Sequence, residues 1–326
     1  MQEVYREHMP LTALLNIQGN VLVGGGGGNV QFGFPNQIVL VSPSKAVLAK
    51  QDVRTVVISL NGSADAVIVS YGDSFDLFEI DKDLSTLIGP FPLPNGCISA
   101  VICGSTLYYL LSRRLYSLPI SGFIKGASPG LMALPATMRT TDTVIRLFSG
   151  DSGVDCLVQR EGDYLLINNQ SVSALEDKIS YYTREGESLA YIIQRSEERT
   201  GITMQYQNKV YQVIESRCIC VCALGQGLFV VGDGDGSLIA YRRGREVWRK
   251  KVSHSPITSI SRVERGGLMC CTIHGDLIST GVGGGMRGWG LGVAVVGLGV
   301  LGGVGAKYWA MGVLSRGLEI VRSWFG

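Results

Sequence analysis

Short runs of apolar, β-branched and aromatic residues recur along this chain, separated by turn residues every 8–12 positions or so. That spacing predicts an all-β protein, and grouping the runs in fours exposes a repeat. The clearest unit comprises residues 218–224, 228–233, 237–242 and 246–252, joined by Gly-Gln-Gly, Asp-Gly-Asp-Gly and Arg-Gly-Arg. Each junction carries the residues a tight hairpin needs. The units before it read 179–184, 189–194, 201–207, 209–214 and 144–148, 154–159, 164–168, 172–175. In all, seven units start near residues 12, 55, 98, 144, 179, 218 and 257, spaced by 35 to 46. This is the blade length of a four-stranded propeller, and seven blades lie in the usual range.

The seventh unit supplies only three runs, 257–263, 268–274 and 277–280, while residues 3–8 form a strand with no hairpin partner. Pairing these two pieces closes the ring and removes an exposed edge. In the third unit, residues 119–135 are rich in Gly and Pro and predict a loop in place of a regular strand. The expectation is a WD-repeat-like, seven-bladed β-propeller over residues 1–280.

Composition adds exclusions. An apolar fraction of 46% is enough for a packed core, and a net charge of +2 over 326 residues argues against a general nucleic-acid binder. Eight cysteines show no zinc spacing, and His8, His254 and His274 lie near no cysteine pair. Reduced thiols in a cytosolic core are expected. Cys218, Cys220 and Cys222 should share one strand face, and Cys270 and Cys271 should point to opposite faces. The start of the chain is polar and charged, with no signal peptide visible. No Ser/His/Asp or Cys/His set emerges, and Asp142 and Glu197 stand alone at turns, so an enzyme is not expected.

The last part of the chain has a different character. Residues 288–306 are nineteen positions without a charge, and as a helix would span about 28 Å, close to a bilayer's ~30 Å hydrocarbon core. We expect a single transmembrane helix there, after a linker at 281–287. Residues 307–326 follow as a short amphipathic tail on the lumenal side, with Met311, Leu314, Leu318, Val321 and Phe325 on one stripe. Gly288/Gly292 and Gly299/Gly303 have the small-xxx-small spacing of a helix-mediated dimer.

One segment serves neither ring nor anchor. Between the strands 20–23 and 37–42 lie thirteen residues, Gly-Gly-Gly-Gly-Gly-Asn-Val-Gln-Phe-Gly-Phe-Pro-Asn, at 24–36. A dinucleotide fingerprint does not fit, because a strand follows and not a helix. The stretch 21–36 closely resembles the signature loop of the endoplasmic-reticulum guanine-nucleotide exchange factors for the small GTPase that initiates COPII coat assembly, the prolactin regulatory element-binding protein family. The matching positions are the apolar strand, Gly25, Gly26, Gly27 and Gly28, a spacer from Asn29 to Phe32, then Gly33, Phe34, Pro35 and Asn36. Segment 254–258, His-Ser-Pro-Ile-Thr, is similar to the family's opening of its last blade. Departures are the extra Gly24, the aromatic Phe34 in an aliphatic position, and the short tail.

The resemblance implies a cytosolic propeller on the endoplasmic-reticulum membrane that accelerates nucleotide release from that GTPase. It implies a potassium ion held by main-chain carbonyls at Gly25, Gly26, Gly27, Gly28 and Asn29, with Gly33, Phe34, Pro35 and Asn36 meeting the GTPase. The alternative is a membrane-anchored scaffold that binds coat or tethering proteins without exchange. Separately, Arg242, Arg243, Arg245, Arg249, Lys250 and Lys251 form a basic cluster within ten positions, suited either to solvent or to anionic headgroups.

Overall fold

The computed structural model describes residues 2–281 apart from 7–8, 28–33, 45, 133–137, 140–141, 151–152, 168–171, 176–178, 195–198, 208, 217 and 264–266. Its strands form seven antiparallel sheets of four. The chain opens with β1 (Gln2–Arg6), then makes blade one from β2 (Leu11–Ile17), β3 (Asn20–Gly25), β4 (Gln37–Val41) and β5 (Val47–Asp52). Blade two is β6 (Ser59–Gly62), β7 (Ala66–Ser70), β8 (Phe75–Ile80) and β9 (Leu87–Pro92). Blade three is β10 (Cys97–Cys103), β11 (Thr106–Leu111), β12 (Arg114–Pro119) and β13 (Gly130–Leu131), with the short helix α1 (Ile120–Ile124) before its last strand. Blade four is β14 (Thr143–Gly150), β15 (Gly153–Arg160), β16 (Asp163–Ile167) and β17 (Val172–Leu175). Blade five is β18 (Ile179–Glu185), β19 (Ser188–Gln194), β20 (Arg199–Tyr206) and β21 (Lys209–Ser216). Blade six is β22 (Cys218–Ala223), β23 (Leu228–Asp233), β24 (Ser237–Arg242) and β25 (Arg245–Lys251). Blade seven joins β26 (Ile257–Val263), β27 (Gly267–Thr272) and β28 (Asp276–Gly281) to β1.

The ring closes as the repeat predicts, because β1 is the outer strand of the last blade, with Gln2 opposite Ser279 and Arg6 opposite Asp276. A second clasp is the Thr258 hydroxyl, which donates to the Leu11 carbonyl at 2.7 Å. The seven-bladed propeller therefore stands. Blade three is irregular where Gly and Pro accumulate: its outer strand is two residues long, pairing Gly130 with Ser117 and Leu131 with Tyr116. Ile120 of α1 packs into the core beside it.

Neighbouring blades touch through their first strands, so β2, β6, β10, β14, β18, β22 and β26 surround the central axis. Topology then sorts the connections. Those between second and third strands, and those between blades, lie at one end, the loop face. Those between first and second, and between third and fourth strands, lie at the other, the turn face. Each core sits between two blades: Cys220, Val230, Leu238 and Ala240 of blade six interlock with Ile257, Leu268, Cys270 and Ile278 of blade seven.

Six of the seven inner strands break register near their start, at Thr12, Ile98, Ile145, Ser180, Ile219 and Thr258. A bulge there reverses the facing of what precedes it. This corrects one expectation. Cys218 lies before the bulge and packs toward blade five, whereas Cys220 and Cys222 pack toward blade seven. Cys270 and Cys271 do face opposite ways, into two different cores.

Among the described residues no helix is long and apolar enough to cross a membrane. The expected span at 288–306 and the tail at 307–326 lie outside the described residues.

Candidate functional site

The glycine-rich connection leaves blade one on the loop face, between β3 and β4. It is shorter than the sequence suggests. Gly24 and Gly25 belong to β3, where Gly24 pairs with Ile38 and Gly25 with Gln37 and Leu11, so the free connection covers residues 26–36. The reason is packing. A Cβ on Gly24 would meet Val57 Cγ1 at 2.7 Å, and one on Gly25 would meet the Pro10 carbonyl oxygen at 1.9 Å. Gly26 adopts φ +145°, and a Cβ there would lie 2.1 Å from Asn36 Oδ1. Three of the five glycines are therefore required by close approach at the base of the loop.

That base is hydrogen-bonded on both sides. The Gly26 amide donates to the Pro10 carbonyl at 3.0 Å, and the Val53 amide donates to the Asn36 carbonyl at 2.9 Å. Thr12 Oγ1 lies within reach of the Gly24 carbonyl, at 3.2 Å, and of the Val57 carbonyl. Gln37 is buried and donates its amide to Asp52 Oδ1 at 2.7 Å. Its Oε1 has no hydrogen-bond partner among the described residues.

Of the nine residues expected to work in the loop, Gly28, Asn29 and Gly33 lie outside the described residues. Phe34 and Pro35 are exposed, Phe34 to 44% of its surface. Asn36 is half-buried and holds the loop base from its carbonyl and through its packing on Gly26. A potassium site calls for a convergence of uncharged oxygens. Gly25 is tied into the ladder opposite Gln37, whose Oε1 is the buried unpartnered oxygen noted above. Among the described residues no cluster of His, Cys, Asp and Glu has the makings of a metal site.

Beside the loop base, Arg54 forms an ion pair with the buried Asp76 at 2.9 Å and sits 4.7 Å above the Tyr71 ring. Burial, then the Asp76 charge, pushes the Tyr71 phenol well above its ordinary range. On the same face Asp142 is gripped by a forked pair from Arg160, both contacts at 2.7 Å. Those hydrogen bonds hold its carboxyl below the usual range. Asp142 is thus a structural ion-pair partner. Of the His-Ser segment, Ser255 is buried with Oγ 2.6 Å from His274 Nδ1, which links two connections of blade seven.

The loop face also exposes Ile58, Ile98, Ile219 and Ile273, which the sequence reading did not single out. Ile98 and Ile219 are bulge residues at the same place in their repeats. The equivalent bulge residue of blade four, Ile145, instead packs against the core between blades four and five.

No family model and no curated protein matches the chain. Among solved structures, the computationally designed Ika8 protein is similar with a TM-score of 0.56, over 86% of this chain and 99% of that one, at 11% identity. U3-55K is similar with a TM-score of 0.59, over 82% and 90% of the two chains, at 10% identity. Such identities establish likeness of fold alone. The class defined by fold and site is a seven-bladed β-propeller with a glycine-rich loop on one face.

Proposed function

We propose that this protein is a guanine-nucleotide exchange factor, anchored in the endoplasmic-reticulum membrane by residues 288–306, that activates the small GTPase of the COPII coat. The observation that carries the reading is the loop at 26–36, which presents exposed Phe34 and Pro35 from a base fixed by strand pairing and hydrogen bonds. Its glycine run and its Gly33, Pro35 and Asn36 match the family loop it resembles, with Phe34 standing where that loop carries an aliphatic residue. The surrounding face, with exposed Ile58, Ile98, Ile219 and Ile273, suits a protein partner, since apolar side chains form the centre of protein interfaces.

Exchange requires tighter binding to the nucleotide-free GTPase than to the nucleotide-bound form, and reciprocity then weakens the nucleotide by the same factor. A wedge that displaces the switch segments or the magnesium–phosphate contacts meets this condition. Phe34 and Pro35 form the wedge. Asn36 positions it from the base. Carbonyls of Gly26 and Gly27, with Gly28, Asn29 and Gln37 Oε1, would hold a potassium ion, which supplies stiffness and no covalent chemistry.

The test is release of a fluorescent guanine nucleotide from the GTPase, with the full chain in detergent. Phe34→Ala should slow stimulated release by about tenfold or more, the scale of a truncated aromatic anchor. Deleting residues 28–33 leaves the ladder intact and should abolish it. A scaffold would keep its partners and show no stimulation in any form. Exchanging potassium for sodium should lower the stimulated rate; equal rates would remove the ion from the account.

A further inference from the structure

We infer that the turn face of blades five and six is a docking surface for anionic lipid headgroups, seating the propeller on the bilayer with its glycine loop turned away. The inference rests on the membrane anchor proposed above. Two independent features place the surface. The first is where the chain leaves the ring. A third strand runs from the loop face to the turn face, so β28 delivers Gly281 to the turn face of blade seven, next to blade six. Seven positions separate Gly281 from Gly288, where the uncharged stretch begins, a reach of at most about 25 Å fully extended. If that stretch inserts, the tether keeps Gly281 within that distance of the bilayer.

The second feature is charge. Arg242, Arg243 and Arg245 occupy the β24–β25 turn on that face, and Lys209 opens β21 beside it. The two rims form one surface, because the turn is seated on blade five: a Cβ at Gly244 would lie 2.7 Å from Tyr211 Cβ. Arg243 lies 5.8 Å over the Tyr206 ring, and an open cleft of about 520 Å³ lies among Tyr206, Gln226, Arg242 and Arg243. Val210 and Val247 are exposed on the same rims, 58% and 49%. Of the acids of this region, Glu246 is engaged by Arg249 at 2.9 Å and Glu185 by Arg262 at 3.0 Å, while Glu187 in the β18–β19 turn is exposed, leaving the rim with a net positive charge. Lys251 reaches the Asp235 carbonyl, toward the loop face, so Lys209, Arg242, Arg243 and Arg245 carry the contact. Each basic side chain near an anionic surface strengthens association roughly fivefold.

The surface explains a positive edge that ring closure does not need, and it has a functional consequence. With the turn face on the lipid, a partner meets Phe34 and Pro35 from the solvent side.

The test places the full chain in nanodiscs of phosphatidylcholine alone or with phosphatidylserine, and reads amide exchange by mass spectrometry. Slower exchange over 206–212 and 240–251 in the anionic discs, reversed by high salt and by R242E/R245E, is the expected result. Exchange at 34–40 should be unchanged. Equal exchange in both discs, or slowing at 34–40 instead, overturns the proposal. Retention in neutral discs after a salt wash reports on the anchor separately. If the chain is not retained, its flotation with phosphatidylserine vesicles still decides the surface. There R242E/R245E should weaken binding by at least about 25-fold, and an unchanged affinity would overturn it.

Discussion

Gly26 shows how much one residue can hold. Its φ of +145° and the 2.1 Å approach a Cβ would make to Asn36 Oδ1 leave no room for a side chain. Gly26→Ala should cost about 1–3 kcal/mol in urea unfolding, the usual scale of backbone strain, and should move the loop base. The cysteines give a second residue-scale prediction. Burial pushes the Cys97 thiol up to about 11 and those of Cys156, Cys222 and Cys271 up to about 12. At pH 8 these thiols should resist iodoacetamide in the native state and react once urea unfolds the ring, as mass spectrometry of labelled peptides will show. Asp142 gives a third. Because Arg160 lowers its folded pKa, the pair stabilises the protein above the ordinary carboxylate range, and that contribution is lost as pH falls through the folded value. Asp142→Asn should therefore lower the melting temperature at neutral pH, with the gap to the parent protein closing in acid.

At the scale of elements, the strands were legible because each ends in turn chemistry. The pattern placed blade starts at 98, 144, 179, 218 and 257, and the strands begin at Cys97, Thr143, Ile179, Cys218 and Ile257. What could not be read was set by neighbours distant in sequence. Gly24 and Gly25 look like loop because of their glycine run, yet they are strand through pairing with β4 and β2, and Val57 and Pro10 press so close that only glycine fits there. Cys218 looks like a partner of Cys220, but the bulge at Ile219 sends it to another core. The exposed isoleucines of the loop face escaped notice for the same reason, since alternation alone assigns Ile98 and Ile219 no bulge. Phe229 of β23 is fully buried between blades five and six, and Phe229→Ala should cost about 3–5 kcal/mol of unfolding free energy by chemical denaturation.

The whole molecule divides its labour by face. Ring closure through β1 and β28 ties the two ends of the propeller together, and the loop face carries the connection 26–36 with Phe34 and Pro35 exposed. The turn face receives the chain's exit at Gly281 and the basic rim of blades five and six. The central claim is that residues 26–36 drive nucleotide release. It is tested most directly by measuring release of a fluorescent guanine nucleotide from the COPII GTPase with the full chain and with residues 28–33 deleted. The account predicts strong stimulation by the parent protein and none by the deletion, with equal melting temperatures. Equal stimulation by both proteins, or none by the parent, would contradict it.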